Sequence, residues 1–233
     1  MLTQGEMIYK VKEQTDKHHI SDNTGFTDQQ ILEYLLDVRS KVLHDKQKHG
    51  RPISMENQMT TPCINLIQAK DCPCVIPSDC VALVTELLIP EGIGEIISAT
   101  NPYDNVEYIK TKSHLAKYRN KNRFDSFNDN TSYFENDTGK GKQIFVISKK
   151  PLKTIKITLI PRNPEDVYRM LDCSGKNEYE CTSSFDIPWK ADPDLNKICV
   201  DETVNTLLRT KVQYTDNRND NNDNNVANKQ ELQ

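Results

Sequence analysis

The sequence holds 233 residues with a formal net charge of −4, and 36% of its residues are hydrophobic against 27% charged. A chain of this length can build one good core, but so polar a composition indicates that a sizeable part lies outside it. The acidic balance argues against a dedicated nucleic-acid binder, and no run of about 20 apolar residues predicts a membrane-spanning helix. Residues 1–19 lack the apolar segment of a signal peptide, so we expect the protein to be made and used in the cytoplasm, or in a particle assembled there.

One long amphipathic helix is predicted near the start of the chain. Residues 1–25 are polar, and we interpret them as an N-terminal arm that is extended or becomes ordered against a partner. Thr27 and Gln30 then form a Thr-x-x-Gln capping box, which marks the start of a helix. Apolar residues follow at helical spacing and Gly50 supplies a stop, so the pattern predicts a helix over residues 28–48.

The middle of the chain is predicted to be rich in β-structure. Residues 57–82 contain three prolines and four cysteines, which is typical of irregular chain or of short strands. Clear strand patterns follow, together with one loop that leads into an edge strand. The strands are predicted at residues 81–90, 95–100, 106–110, 143–148 and 154–160, and the loop at residues 128–133. Residues 154–160 alternate apolar and polar side chains, as expected for a strand with one buried face.

Two helices are predicted after the strands. Asn163 as N-cap and Pro164 at the first helical position open a short helix, and a last helix is predicted over residues 193–210. We divide the chain into an N-terminal arm (1–25), a single α+β domain (26–212) and a disordered Asn/Asp-rich tail (213–233). The order of elements predicts an α+β fold, in which a small antiparallel sheet or β-barrel-like core packs with a long N-terminal helix and C-terminal helices.

The seven cysteines are the natural place to look for a metal site. Four zinc candidates lie close together in the sequence: Cys63, Cys72, Cys74 and Cys80. Structural zinc sites use paired knuckles with two to four intervening residues, whereas the tightest pair here encloses one proline and no matching knuckle follows. The spacing favours reduced thiols in a buried or half-buried setting, and we predict no cofactor. A zinc-stabilised Cys-rich binding or regulatory module is the alternative function, and a disulfide formed outside the cell is a third interpretation of these cysteines.

Sequence patterns typical of catalysis are weak. None of the five histidines accompanies a second histidine or a cysteine at a spacing known for metal or nucleophile chemistry. The glycines and lysines of residues 139–142 predict a hairpin turn rather than a phosphate loop, because no helix follows that could offer its amides. We therefore predict no catalytic residues and no enzymatic activity, while carboxylates brought together by folding stay open as an alternative.

Residues 112–123 form a basic stretch that is predicted to be a short helix or a loop. Such a stretch could contact DNA phosphates or a protein partner. The candidates for this contact are Lys112, Lys117, Arg119, Lys121 and Arg123. The pattern favours a solvated face or an inter-subunit salt-bridge surface over a DNA contact.

Several motifs spread over residues 26–210 resemble a known protein family when taken together. The most specific is Cys72-Pro73-Cys74-Val75-Ile76-Pro77-Ser78-Asp79-Cys80. The others are residues 26–28, 38–43, 61–66, 88–90, 164–167 and 185–188, with Cys173, Cys181 and the last helix. These segments are similar to virion structural proteins of crAss-like bacteriophages that are associated with head-to-tail connector rings.

The resemblance implies a non-catalytic virion protein, assembled in the host cell cytoplasm, whose copies form a homo-oligomeric, twelvefold ring. Such a ring joins the capsid vertex to the tail, with the portal protein and neighbouring tail or ring proteins as partners. DNA in the conduit is a further candidate contact, and no membrane is implied. In a ring we expect the apolar stripes of the first and last helices to lie between subunits. The candidates on the first helix are Leu32, Leu35, Leu36 and Val42.

Overall fold

A computed structural model describes residues 2–17, 26–69, 81–103, 106–112, 131–138 and 141–227, with the backbone alone for residues 16, 17 and 211–227. The described chain contains the α-helices α1 (Gln4–Lys17), α2 (Asp28–Lys48), α3 (Pro164–Tyr168) and α4 (Pro193–Ala227). Its strands are β1 (Met59–Thr60), β2 (Ile64–Gln68), β3 (Val81–Thr85), β4 (Ser98–Thr100), β5 (Ile109–Lys110), β6 (Ser132–Asp137), β7 (Lys142–Ser148) and β8 (Thr154–Leu159). Short 3-10 turns lie at Met55–Asn57 and Ser184–Asp186. None of these helices combines the length and apolar character that crossing a membrane requires.

The strands form one curled sheet. β8 pairs with β1, β2 and β4, and from β2 the order continues through β3, β7 and β6 to β5. The far end returns to β4, where the amide of Tyr108 donates to the carbonyl of Ala99 at 2.8 Å. The α+β fold with a barrel-like sheet is therefore confirmed. One pair departs from the predicted antiparallel sheet: β5 and β6 run parallel, and residues 111–131 between them are enough chain for the crossover that parallel strands require.

The inside of the curled sheet is the first of two main cores. Ile155, Ile157 and Leu159 of β8 are 0%, 0% and 2% exposed, which confirms the alternation predicted for this strand. They pack with buried residues from the neighbouring strands and connections: Ile64, Leu66, Leu83, Ile89, Ile96, Ala99, Tyr108, Tyr133, Ile144 and Val146. Each buried aliphatic side chain contributes about 1.5–3 kcal/mol by leaving water, so this face fixes the register of the sheet.

Strand boundaries differ from the prediction where an apolar run extends beyond the residues that pair with a neighbouring strand. The run predicted over residues 81–90 is a strand only as far as Thr85, and the one predicted over residues 95–100 begins at Ser98. β6 was expected only as an edge strand after a loop, but it pairs with β7 on one side and β5 on the other. Hydrophobic runs predict burial, and burial does not require a paired backbone.

The helix α2 forms as its capping signals predict. The Thr27 hydroxyl accepts from the amide of Gln30, and the Gln30 side chain accepts from the amide of Thr27 at 2.9 Å. Two orphan amides are satisfied in this way, so the helix begins at a defined residue. Gly50 just beyond the helix adopts a φ of 63°, a left-handed conformation that glycine reaches without steric cost.

The N-terminal segment is a docked helix over residues 4–17, and the prediction of an extended or partner-ordered arm is wrong there. Met7, Ile8 and Val11 of α1 are 0%, 3% and 0% exposed and pack in the core shared with α2 and α4. Lys12 also forms an ion pair with Asp28 at the start of α2. The average polarity of the segment concealed this stripe, since three apolar residues on one helical face suffice to dock a helix.

The helix α4 is longer than predicted. Its first half carries the expected apolar stripe, with Leu195, Val200, Val204 and Leu207 buried against α1 and α2. Its backbone stays helical to Ala227, whereas the sequence predicts a helix that ends near residue 210 and disorder from residue 213. Continuing a formed helix requires fewer new constraints than nucleating one, so the polar segment follows the buried one.

A buried arginine ties the helical layer to the sheet layer. Arg39 of α2 is 0% exposed, and its guanidinium donates to the carbonyls of Lys190 at 3.0 Å, Pro161 at 2.7 Å and Arg162 at 3.4 Å. Burial lowers the pKa of Arg39 to about 10, so the side chain stays charged at neutral pH. The carbonyls belong to the chain that leaves β8 and to the chain that enters α4, so one side chain fixes three elements.

A second polar junction fixes the start of α4. Asn57 is 0% exposed and donates to the carboxylate of Asp192 at 2.7 Å, while Asp192 accepts from the amide of Leu195 at 2.8 Å. Burial alone would raise the pKa of Asp192, but these hydrogen bonds outweigh it and lower the pKa below 3.8. Asp192 thus acts as an N-cap that Asn57 holds in place.

Replacing Asn57 with leucine is expected to raise the pKa of Asp192, because burial then acts without the amide donor. A carboxylate with a lowered folded-state pKa contributes stability that is present above its unfolded pKa, and that contribution is lost as the pH falls through the folded value. The variant should therefore unfold in acid at a higher pH than the wild type. At pH 7 its free energy of unfolding should be lower by about 1–3 kcal/mol. Urea unfolding of both proteins between pH 3 and pH 7 tests this. If the free energy of unfolding depends on pH in the same way for the variant and the wild type, the prediction is contradicted.

Candidate assembly surfaces

The stripe on α2 that the sequence assigns to partners serves the chain's own core. Leu32 and Leu35 are 2% and 0% exposed within the single chain, so neither side chain has surface left for another subunit. Leu36 and Val42 are half-buried against the same core. The prediction of a partner-facing stripe is therefore corrected for Leu32 and Leu35, because α1 and α4 already cover that face.

A groove of about 960 Å³ lies on the helical layer, between α1 and the start of α4. Its apolar lining comprises Leu2, Met7, Trp189, Ala191, Pro193 and Val200. Its charged lining comprises Glu6, Lys10, Glu13, Glu56, Lys190, Lys197 and Asp201. An apolar floor with charges of both signs around it suits an apolar protein side chain flanked by polar groups.

The groove is not predicted from the sequence, because α1, which lines one side of it, lies within the segment that the sequence pattern assigns to an arm. Met7 and Lys10 lie on α1, within the segment assigned to the arm. The spacing of Met7, Ile8 and Val11 was the available signal, since it places three apolar residues on one helical face. Trp189 could not be placed from sequence, because its indole N–H donates to Asn196 at 2.8 Å across a turn that only the fold defines.

The sheet layer exposes apolar side chains in the connections on either side of β4, which we call the β4 connections (residues 86–97, 101–103 and 106–108). The exposed fractions are 65% for Leu87, 44% for Leu88, 44% for Ile97, 79% for Tyr103 and 51% for Val106. Single exposed apolar residues are ordinary on protein surfaces, but five in two consecutive connections indicate a contact surface.

An ion-pair network holds the β4 connections against the sheet. The ammonium of Lys110 lies 2.7 Å from Glu95 and 2.7 Å from Glu135, and Lys142 lies 3.5 Å from Glu135. The hydrogen bond from Lys110 lowers the pKa of Glu95. Burial alone would lower the pKa of Lys110, but its bonds to Glu135 and Glu95 outweigh it and raise the pKa. Lys110 is thus committed to carboxylates of its own chain.

The predicted basic patch lies mostly outside the described residues. Lys112 is exposed just after β5. Lys117, Arg119, Lys121 and Arg123 fall outside the part of the chain that the structure describes, so their contact with DNA or a partner stays a prediction.

The cysteines are arranged differently from the predicted zinc set. Cys63 forms a disulfide with Cys173, with a Cα–Cα distance of 4.8 Å, so Cys63 is not available as a zinc ligand in this state. The prediction of reduced thiols is also wrong for this pair, because folding brings together two cysteines that are 110 residues apart. Cys72, Cys74 and Cys80 lie outside the described residues, and no group of three or more potential metal ligands occurs within the described ones.

Comparison with known families gives these surfaces a context. A family model described as phage tail ring protein 2, of the crAss type, matches residues 6–226. No curated protein matches the chain. The family match runs from α1 to the last turn of α4 and so includes both the sheet and the helical layer. A match of this extent rests on the whole fold rather than on one motif, and the chain therefore belongs to the phage tail ring protein 2 family of crAss-like phages.

Proposed function

We propose that this protein is a non-catalytic virion component whose copies close into a twelvefold ring in the head-to-tail connector, between the capsid vertex and the tail. Its further partners in this proposal are the portal protein and neighbouring tail or ring proteins. The observation that carries the proposal is the family match over residues 6–226. Because the family match covers both the sheet layer and the helical layer, it favours assembly through the folded domain over assembly through an appended motif.

Two unlike surfaces on each copy support closure into a ring. Identical subunits arranged head to tail need a surface and a different, complementary one, repeated until the rotation closes. The chain offers a groove in the helical layer and, in the sheet layer, the exposed apolar side chains of the β4 connections. We propose that the β4 connections of one copy dock in the groove of the next, with Tyr103 as the anchor, since exposed tyrosines often become the central contacts of interfaces.

The docking is tested by replacing Tyr103 with aspartate and, as a matched control, Tyr9 with aspartate. Both tyrosines are exposed, at 79% and 69%, so neither change should disturb the core. Tyr103→Asp is expected to weaken assembly by about tenfold or more, and Tyr9→Asp to leave it unchanged. Mass photometry of the purified chain, with and without portal protein, measures the assembled fraction.

One outcome would refute the ring, and another would refute only the docking through Tyr103. If the wild-type chain stays monomeric both alone and with portal protein, the ring itself is refuted. If it assembles and both aspartate variants assemble equally well, the ring stands and the docking through Tyr103 is wrong.

The proposal also includes a contact between the basic residues that begin at Lys112 and the DNA in the conduit. Exposed Lys112 and the basic residues after it supply positive charge, and phosphate contacts by lysine and arginine weaken steeply as salt rises. Assembled rings should then retain double-stranded DNA at low salt and release it at high salt. Equal retention by a Lys112→Glu variant would argue against a contribution from this residue.

A further inference from the structure

The disulfide joins two parts of the molecule that are otherwise connected by long stretches of chain. Cys63 lies half-buried between β1 and β2, and Cys173 lies exposed in the loop that follows α3. We call residues 169–184 the Arg169 loop, because that side chain organises it. Arg169 donates to the carbonyls of Tyr179 and Thr182, each at 3.3 Å.

The hydrogen bonds that shape the Arg169 loop are local. Asp172 accepts from the amides of Ser174 at 2.8 Å and Lys176 at 2.9 Å, and Ser184 donates to Glu165 at 2.8 Å. These bonds give the loop its own shape but do not reach the sheet. The disulfide to Cys63 does, so it is a covalent tether between a largely exposed loop and the strand layer. At the start of the loop, Met170 also packs against the sheet core, so the tether acts on the part of the loop beyond it.

A second cysteine in the Arg169 loop offers Cys173 an alternative disulfide partner. Cys181 is a free, exposed thiol in the loop. Cys199 is free but buried, and burial raises the pKa of its thiol to about 12, so it stays protonated and unreactive at neutral pH. Among the cysteines that the structure describes, exchange chemistry in this region therefore involves Cys63, Cys173 and Cys181, with Cys199 as an internal reference.

We propose that the Cys63–Cys173 disulfide is a redox lock that fixes the Arg169 loop to the sheet after the particle leaves the reducing cytoplasm. While both cysteines are reduced, the part of the loop beyond Met170 opens independently of the sheet. Once they are oxidised, it presents one fixed surface to its neighbours. The timing rests on the proposed function, because a virion protein passes from a reducing to an oxidising compartment, whereas the chemistry of the lock does not.

The oxidation balances with a low-molecular-weight disulfide as oxidant. The exposed Cys173 thiolate attacks one sulfur of the oxidant, which forms a mixed disulfide and releases one thiolate. The Cys63 thiolate then attacks the Cys173 sulfur, which forms the protein disulfide and releases the second thiolate. Two protein thiols thus lose two protons and two electrons, and the oxidant becomes two thiols.

Peptide mapping tests the chemistry of the lock. The full chain is reduced, then exposed to oxidised glutathione, alkylated first in the folded state and again after denaturation, and digested. We expect the peptides of Cys63 and Cys173 to be linked, Cys181 to be alkylated in the folded state, and Cys199 only after denaturation. Alkylated Cys63 and Cys173, or a link between Cys173 and Cys181, would overturn the proposal.

Limited proteolysis tests what the lock does. Lys176 is exposed in the middle of the Arg169 loop, and trypsin cleavage after it reports on loop opening. Reduction of the wild type should speed this cut by about tenfold, and Cys173→Ser should cut fast even under oxidising conditions. Cys181→Ser is the control that should match the wild type. Equal rates for the oxidised and the reduced wild type would mean that the Arg169 bonds alone hold the loop.

The same samples separate this inference from the ring. Assembly scored by mass photometry in the oxidised and the reduced state shows whether the ring forms at all. A chain that never assembles but gives the expected linked peptides and cleavage rates refutes the proposed function and leaves the lock standing. A ring of reduced chains is expected, because assembly precedes oxidation. A ring whose chains still lack the Cys63–Cys173 link after exposure to oxidised glutathione refutes the lock and leaves the proposed function standing.

Discussion

Replacing Arg39 with alanine is expected to destabilise the fold by about 3–5 kcal/mol. The guanidinium is fully buried and donates to carbonyls of Lys190, Pro161 and Arg162. Truncation leaves these carbonyls without their donor and opens a cavity between the helical and sheet layers. Each buried polar group left unsatisfied costs about 1–3 kcal/mol, and the cavity adds to that.

Urea unfolding monitored by tryptophan fluorescence measures this loss, since Trp189 lies in the adjoining core. Arg162→Ala is the matched control, because Arg162 is half exposed and pairs at the surface with Asp37 and Glu91. Surface pairs of this kind contribute about 0–1 kcal/mol. If Arg39→Ala costs no more than Arg162→Ala, the buried junction does not hold the two layers together.

Replacing Trp189 with alanine is expected to cost about 3–5 kcal/mol and to loosen α1. Trp189 is 2% exposed, packs in the helical core and donates its indole N–H to Asn196 at 2.8 Å. Its backbone amide also donates to the carbonyl of Leu2 at 2.7 Å, next to the start of α1. The loss of the side chain therefore removes part of the apolar core against which the first turns of α1 pack.

Trypsin cleavage within α1, after Lys10 or Lys12, should rise together with the loss of stability in this variant. Trp189→Phe is the control, since it keeps most of the apolar contact and loses the bond to Asn196, at a cost of about 1–2 kcal/mol. Equal costs for the alanine and phenylalanine variants would show that the hydrogen bond, and not the packing, holds this corner. An uncut α1 in Trp189→Ala would show that the helix docks without it.

Local signals predicted the elements whose limits are set by adjacent residues. The capping box at Thr27 and Gln30 defines the start of α2, and Asn163 with Pro164 defines the start of α3. The alternation over β8 likewise predicts one buried face. In each case the physical cause lies within a few residues of the pattern, so the sequence alone is sufficient.

The features that sequence patterns missed depend on residues far apart in the chain. Cys63 meets Cys173 across 110 residues, and Arg39 meets Pro161 only after β8 and α2 are packed. The spacing of Met7, Ile8 and Val11 marks an apolar face on α1, but the surfaces of α2 and α4 against which this face packs are defined only by the fold. The groove combines α1 with Trp189 for the same reason, so the candidate surface could not be predicted before the fold.

The position and symmetry of this chain in the particle show whether its copies form a ring in the connector. Cryo-electron microscopy of the connector from phage particles gives both at once, with subunits identified by fitting the curled sheet and α4 into the density. We expect a closed ring of this chain around the DNA conduit, next to the portal, with the β4 connections of each copy against α1 of the next. Density for the chain as an isolated subunit, or its absence from the connector, would contradict it.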